Sequence, residues 1–179
     1  MQKKKFTLTQ LIFMALMAAV MCIAGPLAVP IGPVPITLTN LVIYIAVGVL
    51  GTVQGTISYC LYLLLGMVGL PVFSGYAGGL GKLAGPTGGY LIGFIAMALI
   101  GGIVMEVSHR KLIPTLIGWF IGTAVDYLLG TLWFMYIMHT TFMQTMAVCV
   151  FPFIIGDCIK LIAGVMLGRQ LHKILVHAG

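Results

Sequence analysis

Pro152-Phe153-Ile154-Ile155-Gly156-Asp157-Cys158-Ile159-Lys160 decides how this chain is read. The stretch lies inside an apolar segment running from about Ala147 to Gly168. It sets an acid and a base three residues apart in surroundings that are otherwise hydrocarbon. On a helix that spacing puts both on one face, on neighbouring turns. A lone charge there would cost several kcal/mol or change its protonation state. Charges inside a membrane span face a cavity or a partner, and they point to a functional site. The plainer alternative is an ion pair that only fixes helix packing, a use that hydrocarbon would serve at lower cost.

Outward from that stretch, the composition agrees with a membrane setting. Of 179 residues, 61% are hydrophobic and 7% charged, with a mean hydropathy of +1.17. No soluble domain of this size has that balance, and the polar loops are too short for a second domain. The expected fold is therefore a single all-α integral membrane domain over 1–179, a compact bundle of six transmembrane helices in the lipid bilayer. The net charge of +6 is not a nucleic-acid signal, because the basic residues sit at segment ends, where topology requires them. Cys22, Cys60, Cys149 and Cys158 are scattered and apolar-flanked, without metal spacing, so they read as small core residues. The four histidines are scattered too: His109, His172 and His177 at one rim and His139 in a loop, no metal site. The chain has no G-K-[ST] phosphate loop and does not hydrolyse ATP itself.

In chain order, Met1–Lys5 is a basic tail and Phe6–Ala24 the first span. Five further apolar segments follow it, so it is not a signal peptide. Gly25-Pro26 ends it. The loop to Pro35, with Pro30 and Pro33, cannot be helical. Span 2 is expected over Ile36–Leu50, opening with Thr37, Thr39 and Asn40, and span 3 over Thr56–Gly69, with residues 51–55 as a tight turn. Leu70–Thr87 holds Gly75, Gly78, Gly79, Gly81 and Gly85. It is too glycine-rich for a helix and too apolar for a solvated linker, so it reads as an ordered loop over the protein or else a flexible connector. Span 4 is Gly88–Met105, span 5 Leu112–Met138, His139–Gln144 a short loop, and span 6 the opening segment. Six spans put both termini on one side. Lys3, Lys4, Lys5, Arg110, Lys111, Arg169 and Lys173 fall there, seven of nine basic residues, which makes that side the cytoplasm.

The intramembrane polar set is sparse and mixed in sign: Asp157, Lys160, Asp126, Asn40, Tyr90 and nearby hydroxyls. It suits a small, largely apolar ligand with a carboxylate for Lys160 and an amide-like end whose N–H groups Asp157 accepts. Without ligand the two charges neutralise each other. Gly118, Gly122, Asp126 and Gly130 are four apart and line one helix face that can approach a neighbour closely. Asp126 is then either a second partner for Lys160 or a packing-face acid. An embedded enzyme would need a nucleophile or metal cluster converging on these acids, and none is evident. A solitary proton-coupled carrier would use the Asp/Lys pair as its relay.

These residues resemble the BioY family, the biotin-binding S components of energy-coupling factor (ECF) transporters, over the whole chain. The most specific part is Gly69-Leu70-Pro71-Val72-Phe73-Ser74-Gly75, then Gly78-Gly79-Leu80 and Gly85-Pro86-Thr87-Gly88-Gly89-Tyr90. Pro33-Val34-Pro35-Ile36, Gly156-Asp157 with Lys160, and Tyr127-Leu128-Leu129-Gly130-Thr131-Leu132-Trp133 follow the family's pattern as well. Ala15-Leu16-Met17-Ala18-Ala19 looks like the A-x-x-x-A docking pattern, implicating Ala15 and Ala19. The resemblance implies biotin as the transported ligand, with no cofactor, and an energising module of a coupling membrane subunit and two ATP-binding subunits in a bacterial plasma membrane. It implies a biotin site near the outer face built from Lys160, Asp157 and Tyr90. Thr39 and Asn40 of span 2 and Ser74, Gly75, Tyr76 and Gly79 of the glycine loop complete it. Some relatives carry Asn where this chain has Tyr76-Ala77, and Gln where it has Thr39. The same fold with another vitamin is the competing implication.

Overall fold

The computed structural model describes residues 6–178. Lys3, Lys4 and Lys5 lie outside the described residues, as does the His177 side chain. The described residues form helices α1 (Leu8–Ala24), α2 (Thr39–Leu50), α3 (Thr52–Met67), α4 (Leu80–Ala84), α5 (Gly88–Val107), α6 (Leu112–Met138), α7 (Phe142–Cys149) and α8 (Ile154–Ala178). A two-residue pair of strands, β1 (Ala28–Val29) and β2 (Ile36–Thr37), joins α1 to α2. α5 and α6 are each long and apolar enough to cross a membrane. α7 and α8 together make a third candidate, and α1, α2 and α3 are shorter apolar helices.

Glycine notches assemble these helices. The face from Gly118 to Gly130 meets α5, as its spacing predicts: Gly118 faces Val104, Gly122 faces Met97 and Gly130 faces the Tyr90 ring. α5 answers with Gly101 beneath Trp119 and Gly89 beneath Trp133. α2 and α8 cross where a Cβ on Gly48 would come within 3.0 Å of the Gly168 Cα. Small residues of this kind let membrane helices pack by van der Waals contact, where no hydrophobic force drives association.

Several boundaries differ from the sequence expectation, each for a local reason. α2 starts at Thr39 and not Ile36, because Ile36 and Thr37 pair with Val29 and Ala28. The turn expected over 51–55 shrinks to Gly51, whose φ of +90° suits glycine. Glu106 caps the new helix end by accepting the Thr52 N–H at 2.8 Å. The glycine loop contains a helix after all, because Leu80, Lys82, Leu83 and Ala84 are good helix formers around a single glycine. The expected loop before residue 144 is already helical from Phe142, with Thr141 and Gln144 forming a capping box. The largest correction is in span 6. Its apolar run is broken between Cys149 and Ile154, and the two pieces meet at 53°. Pro152 has no N–H to continue a helix and disfavours helical backbone at Phe151.

The prolyl hairpin, the glycine loop, the end of α6 and α7 gather at one end of the bundle. Val34 packs with Tyr90, Phe134 and Cys149, and the Trp133 indole donates to the Gly85 carbonyl at 2.9 Å. At the other end, Arg110 donates to the Gly48 carbonyl at 2.6 Å and His172 pairs with the Val49 carbonyl at 2.9 Å. Those are the last carbonyls of α2, where a helix favours a cation.

Candidate functional site

The break before α8 places Asp157 in that helix's first turn, its N–H donating to the Phe153 carbonyl at 2.8 Å. An acid is favoured there, near the positive end of the helix. One turn on, the Lys160 ammonium lies 2.6 Å from Asp157 Oδ1, so the expected internal pair is present. Lys160 also donates to the Thr37 carbonyl at 3.0 Å and to Asn40 Oδ1 at 3.1 Å. All three of its N–H donors are thereby engaged. The strand pair makes the first of these contacts possible, since a helical Thr37 would spend its carbonyl within the helix. Asn40 turns its amide nitrogen to Asp157 Oδ1 at 2.9 Å, and the Tyr127 hydroxyl donates to Asp157 Oδ2. Asp157 therefore accepts from Lys160, Asn40 and Tyr127, and the cluster has no net charge.

This cluster forms part of the wall of a cavity beneath the loops. Lys160, Asp157, Tyr90, Thr39, Asn40 and Ser74 all line it. Val34 and Pro35 of the prolyl hairpin, and Leu91, Phe94 and Phe153, supply apolar surface. A largely apolar pocket with a few convergent polar groups is the usual form of a small-molecule site.

Gly75, Tyr76 and Gly79 do not line the cavity. Tyr76 is exposed, with φ of +59°. These residues shape the loop instead. Phe73 donates its N–H to the Ala77 carbonyl at 2.9 Å and Gly79 donates to the Gly66 carbonyl at 2.7 Å. Phe73, fully buried, packs edge-on against Tyr62 in the space that Gly66 leaves. The loop is thus pinned by its backbone and by one aromatic anchor. Lys82, on α4, is half-buried outside the cavity, and that burial pulls its ammonium below its ordinary range. Ala15 and Ala19 lie exposed on α1, while Ala18 is buried.

The Asp126 alternatives also separate. Its carboxyl packs over Gly93 of α5, while Lys160 bonds to Asp157, Asn40 and Thr37. Asp126 is a packing-face acid that also lines the cavity. Tyr127 is the cavity-lining partner of Asp157 that helix-face reasoning missed. It is one position past Asp126, about 100° around the helix, off the glycine face that drew attention to that segment.

Comparisons with known proteins identify the family and the fold. The family model described as BioY family matches residues 1–177. The chain is 34% identical to the protein named biotin transporter BioY2 from Lactococcus lactis, covering 95% of this chain and 93% of that one. It is 33% identical to biotin transporter BioY from Thermotoga maritima, covering 93% and 98%. Among solved structures, the crystal structure of the S-component for biotin from an ECF-type ABC transporter matches with a TM-score of 0.86. The identity there is 32%, covering 94% of this chain and 95% of that chain. With its fold and nearly all of its length matched in this way, the chain belongs to the BioY family.

Proposed function

We propose that this chain is the biotin-binding subunit of an ECF-type transporter, capturing biotin outside the cell and delivering it inward. It is a transport protein and not an enzyme. The observation that carries the reading is one ammonium, Lys160, in the wall of an otherwise largely apolar cavity. Biotin is complementary to that space: a carboxylate on an aliphatic chain, ending in a cyclic urea. The ammonium is already satisfied, so binding must exchange a partner. A carboxylate forms a stronger bond to an ammonium than a neutral oxygen does. The contacts to yield are therefore those with Thr37 and Asn40, and Asp157 stays to hold the ammonium in place.

In this reading α1, α2, α3, α5, α6 and the bent α7–α8 pair are six spans of a bacterial plasma membrane protein. The α2–α3 turn, the α5–α6 turn and both termini face the cytoplasm, as the Arg110 and His172 contacts at that end support. The loops over the cavity face outward. The energising module is a coupling membrane subunit with two ATP-binding subunits, and Ala15 and Ala19 present a smooth, exposed strip for the coupling subunit. The Ala19→Trp variant tests this. The purified variant should bind biotin as the wild type does, while ATP-driven biotin uptake by the assembled complex falls by about tenfold or more. Wild-type uptake by the variant would remove the docking role. Failure of the purified wild-type protein to bind biotin would remove the function.

A further inference from the structure

Across the seam of α5 and α6, each helix fills a gap in the other. Tyr90 and Gly93 are one turn apart on α5, and Asp126 and Gly130 are one turn apart on α6. A Cβ on Gly130 would strike the Tyr90 ring, and a Cβ on Gly93 would strike the Asp126 carboxyl. Two polar side chains are thus seated side by side along the seam, and both line the cavity. Neither is consumed by the fold. Asp126 is 2% exposed, with its Oδ1 buried and without a hydrogen-bond partner. The Tyr90 hydroxyl is also buried, beside Thr131 and Cys149, without a hydrogen bond of ordinary geometry. Leaving such groups unpaired costs stability, a cost that persists only where something else recovers it. Lys160 does not recover it, because its donors go to Asp157, Asn40 and Thr37.

We propose that Asp126 is a specificity-determining residue of this cavity: its carboxyl accepts a urea N–H of the ligand, and the Tyr90 hydroxyl donates to the urea carbonyl. A cyclic urea offers N–H donors on either side of one carbonyl acceptor. A carboxyl beside a hydroxyl supplies the complementary acceptor and donor. Asp157 is less suited to the task, since it already accepts from Lys160, Asn40 and Tyr127. The cavity then has a division of labour, in which α2 and α8 bind the carboxylate end and the α5–α6 seam reads the urea end. A ligand that lacks the N–H would leave Asp126 unpaired after binding, and sites built for a hydrogen bond reject such analogues strongly.

The inference rests on biotin being the ligand, and the test separates the two. Calorimetry on the purified full chain would compare biotin with its two cyclic carbamate analogues, each with a ring oxygen in place of one urea N–H. The wild type should prefer biotin over one of them by roughly tenfold or more. Asp126→Ala should weaken biotin by roughly tenfold and abolish most of that preference. Asp126→Asn, of the same shape, turns a donor toward the urea and should cut the preference by about threefold or more. It serves as the deciding variant if Asp126→Ala does not fold. Equal wild-type binding of biotin and both carbamates would overturn the proposal, as would an unchanged preference in Asp126→Asn. If the variants bind and discriminate like the wild type, biotin binding stands and only the Asp126 role falls. If the wild type binds no biotin, both fall.

Discussion

The cavity has two polar regions built on opposite plans. Around Lys160, charge is complete: an acid, an amide and a backbone carbonyl leave no N–H of the ammonium idle, and a phenol donates to the acid. Along the α5–α6 seam, Asp126 and Tyr90 are buried with hydrogen bonds unmade. The first region can fold and hold its shape with nothing bound. In the second, Asp126 Oδ1 is buried without a bond among the described residues. The difference teaches that a buried charge near a ligand is not always the group awaiting it. Lys160 must surrender a contact to bind a carboxylate, which trades affinity for a preformed geometry. On the proposal above, Asp126 surrenders nothing, so contacts to it would add directly to affinity and selectivity.

The comparison is broken most severely at Lys160. In Lys160→Ala the carboxylate anchor is lost and Asp157 keeps its acid without a counter-ion. Removal of one member of a buried charge pair costs about 2–5 kcal/mol. Biotin binding to purified Lys160→Ala, measured by calorimetry, should therefore weaken by about thirtyfold or more. Retained affinity within twofold would mean that the ammonium only ties α8 to α2.

A smaller perturbation sharpens the same region. Tyr127→Phe keeps the ring and removes one donor from Asp157. A hydrogen bond to a charged group contributes about 1.5–3 kcal/mol, but Asp157 keeps Lys160 and Asn40, so the loss should fall at or below the low end. Biotin affinity should drop by roughly three- to tenfold, with the preference for biotin over the carbamate analogues unchanged. A changed preference would show that the two regions are not separate.

The sequence made some of this legible and not the rest. The Asp157–Lys160 pair was readable because it is local: two residues three apart on a helix must meet. The packing face of α6 was readable for the same reason, as four residues at a spacing of four. What escaped was whatever depends on breaking a helix. Pro152 was in plain view, yet the surrounding hydrocarbon argued for one continuous span, and only its bend brings Phe153 and the first turn of α8 to the cavity. The Thr37 carbonyl is a partner of Lys160 because Thr37 pairs as a strand with Ala28, a contact between segments that no periodicity encodes. Nothing local marks Tyr127 as a partner of Asp157, because the two are 30 positions apart on different helices. The glycine loop reads from its composition as either ordered or a passive connector. Its pinning through Phe73 and Gly66 needed the fold to be seen.

The most direct test of the account uses the wild-type chain alone. Calorimetry of the purified protein would compare biotin with biotin methyl ester, which keeps the urea ring and the aliphatic chain and removes only the negative charge. If Lys160 holds the carboxylate by a charge-assisted bond, biotin should bind and the ester should be weaker by about tenfold or more. Equal affinity for acid and ester would contradict the carboxylate assignment, and with it the reading of Lys160 as the anchor of the cavity.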